Sequence, residues 1–157
     1  MKKKPEWWDI RIHGFTSGDA LLRLMVKAWP ITPWTSIILS KIDGAKIGGL
    51  VDAELTQNNM ATWYFYKNSD FFKRVHEVIQ FDWGDFLCIQ DIVADLEEIK
   101  KMSYPELIRI GVLIIRAIDG YYFEVYTQSD VLMKSLRDSY PHCDAIKGNL
   151  DEFTFAY

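Results

Sequence analysis

Six carboxylates fall between residues 81 and 99, in the run FDWGDFLCIQDIVADLEEI: Asp82, Asp85, Asp91, Asp95, Glu97 and Glu98. The same stretch holds no Lys, Arg or His. The whole chain carries 18 basic and 22 acidic residues, so its net charge of −4 is concentrated here. Local effects account for part of the cluster. Asp91 precedes an apolar repeat at Ile92, Leu96 and Ile99, which predicts a helix that Asp91 caps. Carboxylates at such a helix start, Asp95 included, are stabilised by about 0.3–1 kcal/mol each. Glu97 stands four residues before Lys101, the spacing of a helical ion pair.

Asp82, Asp85, Asp95 and Glu98 then remain around Trp83, in a stretch whose Asp82-Trp83-Gly84-Asp85 segment reads as a loop. An acidic patch with an aromatic anchor suits a basic protein partner. Like charges steer the encounter, and a Trp buried at an interface carries binding energy. The candidate partner-binding residues are therefore Asp82, Trp83, Asp85, Asp95 and Glu98. The same patch would repel a phosphate backbone, so no nucleic-acid partner is expected.

Other residue types capable of chemistry are scattered. His13, His76 and His142 are isolated in sequence. His142-Cys143-Asp144 is contiguous, but adjacent side chains of a strand point to opposite faces, which turns Cys143 away from His142. Cys88 and Cys143 form no CxxC pair, and no HxxxH spacing occurs, so no metal site is expected. Neither GxGxxG nor GxxxxGK[ST] is present, so no nucleotide or other cofactor is expected. The function read from these residues is a non-enzymatic protein-binding module. An inhibitor or immunity-type protein that neutralises a basic partner is one form of it. The alternatives are an enzyme whose site assembles from dispersed His, Asp and Cys residues, and a self-associating scaffold that uses aromatic strands such as 62–66 or 153–157.

The elements that must position these residues follow from periodicity. At 157 residues the chain suits one domain, with residues 1–6 as a flexible tail. Trp8, Ile10 and Ile12 alternate with polar residues as a half-buried strand does. Thr16 or Ser17 caps a helix to about Trp29, with a core stripe of Leu21, Leu22, Met25, Ala28 and Trp29. Trp34 to Ile42, Lys46 to Leu55 and Met60 to Tyr66 read as a three-stranded meander, turned first at Asp43-Gly44. Asn68 or Ser69 then caps a helix whose apolar face runs Phe71, Phe72, Val75, Val78 and Ile79.

Beyond the acidic stretch, Ser103 and Glu106 have the spacing of a capping box, with Pro105 in the first turn. Val112 to Ile118 and Tyr121 to Thr127 make a second hairpin through Asp119-Gly120. Ser129 caps a helix carrying Val131, Leu132, Leu136 and Tyr140, and two short strands around Gly148-Asn149 close the chain. The segments Tyr66–Phe72 and Tyr126–Leu132 echo each other, though Ser-Asp at a helix start arises independently often enough to explain it. These elements predict an α+β fold: a mostly antiparallel sheet with two Asp-Gly hairpins and about four helices packed on it. No run is long and apolar enough for a membrane span. With two cysteines read as reduced thiols, the chain is expected to be cytoplasmic and a monomer or weak homodimer.

Overall fold

A computed structural model describes residues 5–43, 46–47, 63–65, 67–90 and 96–150. In chain order its elements are β1 (Glu6–His13), α1 (Gly18–Ala28), β2 (Ser36–Asp43), β3 (Lys46–Ile47), β4 (Trp63–Phe65), α2 (Asn68–Val75) and β5 (Val78–Gln80). Then follow β6 (Trp83–Ile89), α3 (Leu96–Lys101), α4 (Tyr104–Ile110), β7 (Gly111–Ile118), β8 (Tyr122–Thr127), α5 (Asp130–Ser139) and β9 (Asp144–Asn149).

Along β6 and β7 apolar residues run almost without interruption, which is the pattern of strands covered on both faces. They occupy the middle of a seven-stranded antiparallel sheet ordered β4-β2-β6-β7-β8-β1-β9. Successive side chains alternate between two apolar layers. Phe86, Cys88, Leu113, Ile115, Ile10 and Val125 face the larger one, where α1, α2 and α5 contribute Leu21, Phe71, Val75, Leu132 and Leu136. Leu87, Ile114, Ile38, Trp7 and Tyr126 face the smaller one, joined by Ile108 of α4. The fold is α+β with a mostly antiparallel sheet, as the alternation predicts.

Local signals hold where they are self-contained. Ser17 accepts from the Ala20 amide and starts α1. Ser103 and Glu106 form the reciprocal capping box of α4. Ser129 accepts from the Leu132 amide and starts α5. Asp119 and Gly120 both take positive φ, 53° and 73°, and turn β7 into β8.

Several expectations are corrected. Glu6 already pairs with Asn149, so the strand begins inside the expected tail. The core face of α1 adds Leu24 to the expected Leu21, Met25 and Ala28, while Leu22 packs at its edge and Trp29 is exposed. Gly18 lets it approach closely, since a β-carbon there would collide with the Val75 carbonyl of α2. The expected meander is rearranged. β4 pairs directly with β2, and the described part of the return strand, β3, pairs with β5 in a separate two-stranded sheet.

α2 ends at Val75, and residues 78–80 are the strand β5, which leaves Ile79 exposed rather than on a helix face. No side chain caps α2; the Asn68 side-chain oxygen Oδ1 instead accepts from the Trp34 indole at 2.7 Å. The echo between residues 66–72 and 126–132 therefore fails at the cap. Gly148 lies within β9 rather than in a turn. The proposed cap at Asp91, the site residue Asp95 and the last strand, 152–157, lie outside the described residues. Among the described residues, no helix is long and apolar enough to cross a membrane.

Candidate functional site

The segment from Asp82 to Asp85 is strand rather than loop, and this divides the acidic cluster. β6 begins at Trp83, which pairs with Asp43 on one side and Ile118 on the other. Asp85 is therefore an interior residue of a central strand. Its carboxylate accepts from Arg116 Nε at 2.8 Å, directly opposite on β7, and both side chains are nearly inaccessible, at 5% and 3%. The expectation that Asp85 belongs to an exposed patch is overturned. A charge inside a sheet needs a partner, and the partner sits 31 residues away on the next strand.

That pair opens a ladder across the sheet. Asp85, Arg116, Glu124, Arg11 and Asp144 stand in register on β6, β7, β8, β1 and β9, with signs alternating from strand to strand. Opposite charges placed directly across strands attract. Arg11 Nη2 donates to Glu124 Oε1 at 2.8 Å, and that hydrogen bond holds the guanidinium's pKa above its ordinary value. The Tyr126 hydroxyl also donates to Glu124. Burial, followed by that hydrogen bond, raises the phenol's pKa.

Two residues toward the Trp7 end, Asp9 faces Tyr126 across β1 and β8. Burial and the neighbouring Glu124 charge push its carboxyl up to about 6, against the opposing pull of Arg11 and Arg116. Its Oδ1 is buried and accepts no hydrogen bond among the described residues.

Asp82 and Trp83 have a different setting. They help line an open cleft of about 540 Å³ at one end of the sheet, together with Phe15, Gln80, Asp119, Gly120 and Tyr121. Three chain segments are knotted there by backbone hydrogen bonds. The Gly14 amide donates to the Tyr121 carbonyl at 2.9 Å, and the Gly120 amide donates to the Asp82 carbonyl at 3.2 Å. The Phe81 amide donates to the Thr16 carbonyl at 2.7 Å, and the Thr16 hydroxyl returns a bond to the Phe81 carbonyl.

Side chains complete the knot. Gln80 Nε2 donates to Asp82 Oδ1 at 2.6 Å and lies over Gly120, where a β-carbon would collide with it. Ile118 pairs with Tyr122, which leaves Tyr121 outside the ladder and 73% exposed. Phe15 is 59% exposed, and Trp83 is half-buried. Among the described residues, none of the three rings stacks on another ring or lies under a cation, and no Lys or Arg pairs with Asp82 or Asp119.

The structure thus joins Asp82 to Trp83 and separates Asp85 from them. Glu98 is exposed on α3, within the connection from the Ile89 end of β6 to the Gly111 end of β7. Trp83 is at the other end of β6. Sequence reading missed Phe15, Asp119 and Tyr121. The signal for them is an aromatic beside a turn, in Gly14-Phe15 and Gly120-Tyr121, where a solvated turn favours polar residues.

Among the described residues, His13 Nε2 lies 3.4 Å from Asp144 Oδ2 and His76 Nε2 lies 3.8 Å from Glu77 Oε1, both at exposed positions. His142 and His76 are exposed, and His76 Nδ1 lies 2.7 Å from the Lys73 carbonyl of its own helix. Cys88 is buried within β6, and burial raises its thiol pKa. Among the described residues, no three His, Cys, Asp or Glu side chains are grouped to hold a metal ion. No family model, curated protein or solved structure matches the chain.

Proposed function

We propose that this chain is a non-enzymatic module that binds a basic protein partner at the cleft formed by residues 14–16, 80–83 and 119–121. The observation that carries the reading is the combination of exposed Phe15 and Tyr121 and half-buried Trp83 with two carboxylates, Asp82 and Asp119, that pair with no Lys or Arg among the described residues. Solvent-facing aromatic surface is where interface energy concentrates, and uncompensated like charges select the sign of the partner. The acidic pI near 5.3 agrees with that sign. The backbone knot supports a pre-formed site, which lowers the ordering cost of binding. An inhibitor or immunity-type role toward a basic protein is the form of module that fits. Free Cys88 and Cys143 are consistent with work in the cytoplasm, as a monomer or weak homodimer.

Affinity capture from the native cell tests the reading. Wild-type bait is expected to retain a basic protein at low salt and release it at about 0.5 M NaCl, where exposed charges are screened. Bait carrying Trp83→Ala and Tyr121→Ala is expected to lose that protein. Equal recovery by both baits, or binding indifferent to salt, removes the reading.

A second reading, an enzyme, draws support from Asp9 alone. A carboxyl pushed up to about 6 beside Glu124 and Tyr126 resembles a tuned acid. Structural ion-pair networks shift carboxyls in the same way, and the neighbouring charges here form such a ladder. Activity on any substrate that is abolished by Asp9→Asn in a folded protein would favour the enzyme over the module.

A further inference from the structure

We propose that the cleft receives one arginine side chain of the partner, with its guanidinium laid against the exposed rings and neutralised by Asp82 and Asp119. The inference rests on the binding-module reading and names what the site recognises. Three aromatic side chains and two carboxylates line one opening, a composition that favours a cation able to use both kinds of surface. A guanidinium is flat, always charged and weakly hydrated, so it stacks on a ring while its edge donates to a carboxylate. An ammonium gives up more hydration for the same contact.

The carboxylates differ in what they leave open. Asp82 Oδ1 is already taken by Gln80 at 2.6 Å, which orients the carboxyl without supplying positive charge. Asp119 is exposed on the turn and forms no ion pair among the described residues. A volume of about 540 Å³ falls within the range of small-ligand sites, roughly 300–1,000 Å³, and exceeds what one side chain fills. The remainder accommodates the backbone of a short exposed loop. An anion is excluded by the two carboxylates, and a purely apolar ligand would leave both desolvated without a partner.

The test uses the full chain, isotope-labelled, and three capped five-residue peptides with Arg, Lys or citrulline at the centre of otherwise glycine sequence. Citrulline keeps the shape of arginine and removes its charge. Backbone amide shifts report the location of binding. The arginine peptide is expected to move the amides of residues 14–16, 80–83 and 119–122 in a saturable way. Citrulline is expected to bind at least fivefold more weakly, and lysine roughly two- to fivefold more weakly, as a lost ring contact implies.

Asp82→Asn with Asp119→Asn is expected to weaken the arginine peptide several-fold, with the rest of the spectrum unchanged as proof of fold. Citrulline binding as well as arginine, lysine matching arginine, or shifts that fall elsewhere on the sheet would each overturn the inference. Its failure is distinct from failure of the module. If cleft variants lose the native partner while arginine and citrulline bind alike, the module stands and the arginine site falls. If arginine binds selectively but the variants capture the same proteins, the module reading falls and the partner's arginine falls with it.

Discussion

Asp82 and Asp85 are three residues apart and meet opposite environments. Asp82 lines an open cleft with only an amide on its carboxylate, whereas Asp85 is sealed against Arg116. Breaking a buried pair by removing one partner typically costs about 3–5 kcal/mol. Asp85→Ala is expected to destabilise by that amount in chemical denaturation, while Asp82→Ala changes stability by roughly 1 kcal/mol or less, the worth of one hydrogen bond.

Asp9 adds a pH dependence with a definite sign. Burial pushes its carboxyl up to about 6 in the folded chain, from an ordinary value of 3.8, so the folded state holds the proton more tightly than the unfolded one. That contribution is fully present below the unfolded value and is lost as pH rises through 6. Above pH 7 the ionised carboxyl is a cost, which Asp9→Asn removes. Because Asp9 is only partly buried, screening trims the effect to about 1 kcal/mol, or roughly 2–4 °C in Tm. Melting curves at pH 8 are expected to show the gain, and at pH 4 the variants should converge.

Neither fate was legible by counting charges. The partner of Asp85 lies on another strand, and nothing local to FDWGDF marks the segment as strand. A better signal was present farther on, in single charges such as Arg116 and Glu124 set within apolar runs. Each needs an opposite charge across the sheet.

At the scale of elements, what could be read was what is closed within a few residues. The caps at Ser17, Ser103 and Ser129 and the turn at Asp119-Gly120 each satisfy their own backbone groups, so the sequence suffices to place them. Ser129→Ala is accordingly expected to cost about 1 kcal/mol, measured by thermal or chemical unfolding. The end of α2 and the pairing of β3 with β5 depend on contacts from elsewhere. Val78 and Ile79 continue a helical stripe on paper, yet Val78 pairs with Ile47 across the small sheet.

The α1–α2 contact has the same character. Gly18 reads as a neutral first-turn residue, but its missing side chain admits the Val75 carbonyl. Gly18→Ala would usually favour a helix. Here it is expected to destabilise by about 1–3 kcal/mol, the cost of overpacking, and an unfolding curve of that one variant decides between the two.

Across the whole molecule, the sheet order decides which residues meet. The cleft combines residues 14–16, 80–83 and 119–121 because the start of β6, the end of β1 and the β7–β8 turn reach one end of the sheet. The α+β class was readable from alternation, but the order was not, since alternation specifies which face is buried and leaves the neighbouring strand open. The candidate site follows the same division. Asp82 and Trp83 were legible as an acid beside an aromatic, and Phe15, Asp119 and Tyr121 joined them only through topology.

The place of β1 has a consequence for synthesis. This strand is made before every other element described, yet both of its neighbours, β8 and β9, lie at residues 122–149. At roughly 5–20 residues per second, the segment Trp7-Trp8-Asp9-Ile10 waits roughly 5–20 s for its first partner to be made. Throughout that interval it is an unpaired strand carrying two tryptophans, the sort of nascent segment that chaperones shield. Stalled chains of about 120 residues are expected to be cut by protease within β1, and chains released at full length to resist. A strand must therefore wait for partners made more than a hundred positions later before it can pair.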